Sequence, residues 1–115
     1  MKNFVQPGKA LNLTAPSGGV TAGVALLIVG LIVVPATDAD ETKTFSGHTE
    51  GVFTLAKNAG EAFAEGDVVY FDVSEGDFTK TATGNYRAGV AVAAALSAAT
   101  EADIRLDGVS TVAEA

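Results

Sequence analysis

The chain has 115 residues, enough for one domain that buries roughly 65% of its unfolded surface without staples. It holds no cysteine, which excludes a disulfide framework, a thiolate metal site and a cysteine nucleophile, and suits a reducing compartment or a particle assembled in one. The net charge of −7 is divided unevenly, +2 over residues 1–37 and −9 over residues 38–115, so an acidic body repels phosphates and argues against nucleic-acid binding. With 48% hydrophobic and only 18% charged residues, the surface is short of charge, as in a subunit that buries part of its exterior.

Residues 1–9 form a flexible arm that carries Lys2 and Lys9 and is hinged at Pro7-Gly8. Its residues Lys2, Asn3, Phe4, Val5, Gln6 and Pro7 combine positive charge with exposed-looking apolar side chains, and such an arm can add a strand to a partner's open sheet edge. Ala10 to Thr14 alternates apolar and polar residues, and Pro16-Ser17-Gly18-Gly19 is turn punctuation. Six of the eleven residues from Val24 to Val34 are β-branched, a composition that favours the pleated backbone over a helix. The run is well short of the roughly 20 residues a membrane-spanning helix needs. It is expected as one long strand buried on both faces, roughly 35 Å at about 3.3 Å per residue. A run that long exceeds what one small domain covers, so Leu27, Val29, Leu31 and Val33 are expected at an interface between copies.

After the polar turn Thr37–Glu41, strands are expected over 42–45 and 48–55, and a short helical turn over the helix-friendly stretch 57–64. Asp67 to Val73 is the clearest short strand, turned by Ser74-Glu75-Gly76-Asp77 into Phe78 to Thr81. Thr83-Gly84-Asn85 precedes a strand over 86–94; 96–100 connects to a final strand over 103–106. The expected organisation is an N-terminal arm (1–9), a single β domain (10–108) and a mobile tail (109–115). Short strands with Gly-rich turns indicate an all-β barrel or sandwich with at most one short helix.

Few residues invite chemistry. Ser46, His48 and Glu50 are spaced by two and would share one face of a strand, as a hydrolase relay or as a plain polar stripe. Relays usually converge from separate elements, which favours the stripe. Asp38, Asp40 and Glu41 suggest calcium, but Lys43 stands where an EF-hand loop needs its sixth-position glycine. Asp72, Glu75 and Asp77 crowd a hairpin turn and are read as solvated. One histidine and no cysteine leave little for a transition metal. Ser17-Gly18-Gly19 and Ala59-Gly60 lack the spacing of a phosphate loop. No catalytic site, cofactor or metal is expected. A secreted alternative rests on Lys2 and Lys9 ahead of an uncharged stretch and on Val34-Pro35-Ala36, which has the small-x-small form of a cleavage site. The late start of the apolar core, behind two turns, weighs against it.

The chain also resembles a family of small phage and prophage head proteins described as capsid cement or decoration proteins. The resemblance runs in order through Lys2-Asn3-Phe4-Val5-Gln6-Pro7-Gly8, Leu13-Thr14-Ala15-Pro16-Ser17-Gly18-Gly19-Val20-Thr21-Ala22-Gly23, Thr49-Glu50-Gly51-Val52-Phe53-Thr54-Leu55-Ala56-Lys57 and Glu65-Gly66-Asp67-Val68-Val69-Tyr70-Phe71-Asp72. It closes with Thr83-Gly84-Asn85, Arg87-Ala88-Gly89-Val90-Ala91 and Ile104-Arg105-Leu106-Asp107-Gly108. This resemblance implies a mostly β, non-enzymatic subunit, often trimeric. It implies a place on the outer surface of a phage head assembled in the bacterial cytoplasm, where the subunit ties capsomers together. The major capsid protein is then the partner, with the arm as its contact, and neither membrane nor nucleic acid is engaged. Family members tend to be more polar where Val24-Ala25-Leu26 stays apolar, a departure that directs this segment toward an intersubunit contact.

Overall fold

The computed structural model describes residues 8–115, and these form nine strands and no helix. In chain order the strands are β1 (Ala10–Thr14), β2 (Leu26–Ile28), β3 (Leu31–Pro35), β4 (Thr44–His48), β5 (Glu50–Ala56), β6 (Val68–Asp72), β7 (Asp77–Thr79), β8 (Tyr86–Ala91) and β9 (Glu101–Asp107). They build a four-stranded sheet in the order β1-β4-β3-β2 and a five-stranded sheet in the order β5-β9-β8-β6-β7. Every strand pairing is antiparallel. The all-β expectation holds in its sandwich form, and the sheets do not close into a barrel.

The main core lies where the two sheets face each other. Ala25, Ile32 and Val34 from the first sheet side meet Leu55, Val69, Phe71, Phe78, Ile104 and Leu106 from the second. A smaller cluster of Ala15, Val20, Val33 and Phe45 fills the opposite face of the four-stranded sheet, under the loop that an isolated Val20–Ala39 bridge ties down. β3 therefore feeds both cores: Ile32 and Val34 point one way and Val33 the other, as strand alternation requires. Complete burial of each such side chain is worth roughly 1.5–3 kcal/mol. Where β8 passes β9, a Cβ on Gly89 would strike the Arg105 carbonyl, so only glycine permits that approach.

The single long strand expected over 24–34 is corrected to a hairpin. Leu26 pairs with Val33, Leu27 with Ile32 and Ile28 with Leu31, leaving Val29-Gly30 as a two-residue turn. Folding the run back lets one domain cover it, because both arms divide their apolar residues between the two clusters. Only β3 has the double burial foreseen for the whole run.

The helical turn expected over 57–64 is also absent. Gly60 sits at φ 102°, and the segment is held by isolated bridges instead, Lys57 to Phe78 and Phe63 to Ala95. Tertiary pairing here overrides local helix propensity. The break expected between 45 and 48 falls instead at Thr49. Its N–H donates to the Lys9 carbonyl at 2.8 Å and its hydroxyl to the Gly8 carbonyl, and there the chain passes from the first sheet into the second.

At the C-terminal end Thr111 is buried. Its N–H donates to the Gly30 carbonyl at 2.8 Å, and the Glu114 N–H donates to Asn85 at 2.9 Å.

Candidate functional site

The period-two set Ser46, His48 and Glu50 is not one strand face. Ser46 and His48 are half-buried on β4, whereas Glu50 is exposed and opens β5 in the other sheet. The His48 ring lies 5.9 Å from the Phe53 ring at a tilt of 38°, a packing contact between the sheets. The buried Thr49 separates Glu50 from the pair, so the three groups do not converge as a relay requires.

The acidic turns carry their charge in local hydrogen bonds. Asp38 Oδ1 accepts the Ala22 N–H at 2.8 Å. Asp72 Oδ1 accepts the Ser74 N–H, the Ser74 hydroxyl at 2.8 Å and the Glu75 N–H, a side-chain turn that closes the β6–β7 hairpin. Across the ladder from Asp72 stands Asp77, whose Oδ1 is buried without a hydrogen-bond partner. Burial first, then the negative charges of Asp72, Glu75 and Glu61, hold its carboxyl above the ordinary aspartate range, while Lys57 pulls the other way. Among the described residues, no group of three or more His, Cys, Asp or Glu side chains is arranged to hold a metal ion.

Two polar centres had no signal in the sequence. Lys57 is buried at 3% exposure. Its ammonium donates to the carbonyls of Asn58 at 2.9 Å, Ser97 at 3.3 Å and Ala99 at 3.0 Å and stands 5.4 Å from the Phe63 ring centre. Three donors meet three acceptors, so the charge fastens the 96–100 loop without a carboxylate. Glu61 receives the Thr79 hydroxyl, the Lys80 N–H at 2.7 Å and the Thr81 hydroxyl. Burial pushes its carboxyl up, but those hydrogen bonds and the Lys80 charge outweigh that and hold it below the ordinary glutamate range. On β8 and β9, Arg87 and Asp107 pair at 2.8 Å.

Of the residues expected at an interface, Leu27 packs half-buried on the main core and Leu31 half-buried on the smaller one, while Val33 has no exposed surface. Val29 differs from all three. It is 92% exposed at the hairpin tip and holds φ 55°, a region that costs a β-branched residue roughly 1–2 kcal/mol. Val109 and Val112 are also exposed, in the tail segment whose Thr111 is bonded to Gly30. The expected capsid-contact arm, Lys2 to Pro7, lies outside the described residues. Its root, Lys9, lines a concavity of about 220 Å³ with Glu50, Gly51, Arg105 and Leu106. Two others, of about 270 and 190 Å³, are likewise smaller than the roughly 300–1,000 Å³ of small-molecule sites. The geometry thus presents two surface features: Lys9 beside an open cleft, and an apolar hairpin tip.

Comparison with protein families finds a match over residues 5–106 to the family described as phage cement protein. No curated protein and no solved structure matches the chain.

Proposed function

We propose that this chain, which belongs to the phage cement protein family, binds the outer surface of a phage head and stabilises it by bridging neighbouring capsomers. The match over residues 5–106 carries this reading: it spans both sheets, and a phage capsid cement role is what the family supplies. The mechanism is additive burial without catalysis. Many copies each cover a seam, and repeated contact makes modest single attachments stable. The major capsid protein is the partner, and the subunit acts as a homotrimer. The acidic body favours the outer surface over the inner one, where packaged DNA would repel it.

Two surfaces divide the work. Lys2, Asn3, Phe4, Val5, Gln6 and Pro7 reach the capsid from the root at Lys9, by strand addition to an open sheet edge. The β2–β3 tip, with Val29 foremost and Leu27 and Leu31 behind it, meets the neighbouring subunit. An apolar side chain held exposed in an unfavourable backbone region is the observation that supports the second surface. The secreted alternative, with a leader cut after Ala36, would strip away β1, β2 and β3, including the buried Ile32, Val33 and Val34.

Mixing purified protein with undecorated heads tests the reading. Added density on the outer surface is expected, together with a rise in the temperature of head rupture. A chain lacking residues 1–7 should fold but leave the heads bare. Heads that stay bare with the full chain would sink the proposal, and full binding by the truncated chain would remove the arm from it.

A further inference from the structure

The turn end of the β6–β7 hairpin holds an arrangement outside the surfaces proposed above for attachment. Asp72 and Asp77 are direct partners across the ladder, where Cβ atoms stand about 4.5–5.5 Å apart and like charges oppose one another. The two carboxylates are not equivalent. Asp72 Oδ1 is saturated by Ser74 and Glu75, whereas Asp77 Oδ1 is buried with nothing to accept from.

The groups facing Asp77 are Asp72 from β6, Glu75 from the turn, and Glu61 and Lys57 from the segment that covers the hairpin. Lys57 is the one cation among them, and its ammonium is directed to the carbonyls of Asn58, Ser97 and Ala99. Lys80, beyond the end of β7, is 3.6 Å from Asp67. Thr79 and Thr81 give their hydroxyls to Glu61. Asp77 thus has three acidic neighbours, one committed cation and an orphaned oxygen.

We propose that Asp77 and Asp72 form a proton-sharing pair, a pH-responsive latch that draws the turn end of the hairpin together when Asp77 takes up a proton. The proton converts the orphaned oxygen into a donor, with the carboxylate opposite as its acceptor, and removes one of two facing charges. Desolvation of Asp77, the largest influence on it, acts in the same direction. Because its proton affinity is higher folded than unfolded, Asp77 costs stability at neutral pH. That cost is relieved as pH falls through the folded midpoint toward the unfolded one.

Carbon-13 NMR titration of the side-chain carboxyls in the full chain tests this. The Asp77 midpoint is expected above the ordinary aspartate value of about 3.8. In Asp72→Asn, which keeps an oxygen for Ser74, the Asp77 midpoint should fall by about half a pH unit or more. Asp77→Asn should raise the melting temperature at about pH 7.5 and abolish the increment in stability that the parent gains as pH falls through the folded Asp77 midpoint toward the ordinary value of about 3.8. An Asp77 midpoint at or below the ordinary value, or one that Asp72→Asn leaves in place, overturns the proposal. Those two readouts decide it even if Asp77→Asn does not fold. Neither involves phage heads, so the result is independent of capsid binding.

Discussion

The two tight hairpins of this molecule solve the same chain reversal with opposite chemistry. The β2–β3 tip is Val29-Gly30, apolar, exposed and held in the left-handed region at Val29. The β6–β7 tip is Val73-Ser74-Glu75-Gly76, closed by the Asp72 side chain, with Gly76 supplying the positive φ of 72°. The second turn is built from residues that fit it locally, and its tension arises between strands, where Asp72 and Asp77 oppose each other. The first turn is poorly fitted to its own backbone at Val29, although the Thr111 N–H holds the neighbouring Gly30 carbonyl. Local misfit combined with apolar exposure is what a contact surface leaves on an isolated subunit, which fits the subunit contact proposed for the first tip, whereas the second tip serves folding.

The largest effects should come from the folding side. Phe78 on β7 has no exposed surface and packs on Phe71 with ring centres 5.0 Å apart. Phe78→Ala should cost about 3–5 kcal/mol, read as a lower midpoint in urea with little change in slope. Lys57→Met comes next. It keeps most of the buried stem but leaves the Asn58, Ser97 and Ala99 carbonyls without their charged donor, for a loss of about 1–3 kcal/mol. Faster amide exchange confined to 96–100 would identify the loop as the part released. A Lys57→Met variant as stable as the parent would show that the three carbonyls find water at no cost.

At the β2–β3 tip the sign should reverse. Val29→Asn places a residue that tolerates the left-handed region beside Gly30, and the subunit should gain about 0.5–1 kcal/mol. On the proposed subunit contact, the same change should weaken self-association, read as a lower oligomer fraction in light scattering at micromolar concentration, and reduce occupancy on heads. Stability and assembly moving in opposite directions would sharpen the contrast between the hairpins. A gain in stability with unchanged assembly would make Val29 an ordinary strained turn.

How much of this was legible in the sequence follows the same division. Turns made of Ser, Asp and Gly announce themselves, so β6, β7 and the bend between them were readable. Val29-Gly30 has no such signature, and an unbroken β-branched run reads as one strand until Gly30 is taken as a turn. The Lys57–Ala64 stretch shows helix-friendly residues only, and what overrules them, the carbonyls of Ser97 and Ala99 and the Phe78 bridge, lies far along the chain. Period two relates Ser46 to His48 but not to Glu50, because the chain changes sheet at Thr49. A lysine read from sequence faces water by default, so the buried role of Lys57 had no signal at all. The interface set Leu27, Val29, Leu31 and Val33 assumed one strand face. In the hairpin Leu27 lies on β2, Val29 in the turn, and Leu31 and Val33 on β3, and of the four only Val29 is exposed.

The smallest expected effect is also the most discriminating for the β6–β7 side, because Glu61 and Asp77 flank the same strand and titrate with opposite sign. Glu61 is held below the ordinary glutamate value of 4.5 by its hydrogen bonds from Lys80, Thr79 and Thr81, against the upward push of burial. Its contribution is therefore fully present above that value and is lost as pH falls through the folded midpoint. Glu61→Gln keeps an oxygen for the Lys80 N–H but gives up the charge assistance, a loss of about 0.5–1 kcal/mol at neutral pH. Melting temperatures of parent and variant should accordingly converge as the pH is lowered below about 4. The stability that Asp77 withholds at neutral pH returns as pH falls through its own raised midpoint, so the two groups bend the parent curve in opposite directions. A gap between parent and Glu61→Gln that stays constant down to the lowest pH would mean that those hydrogen bonds do not depend on the ionised carboxylate.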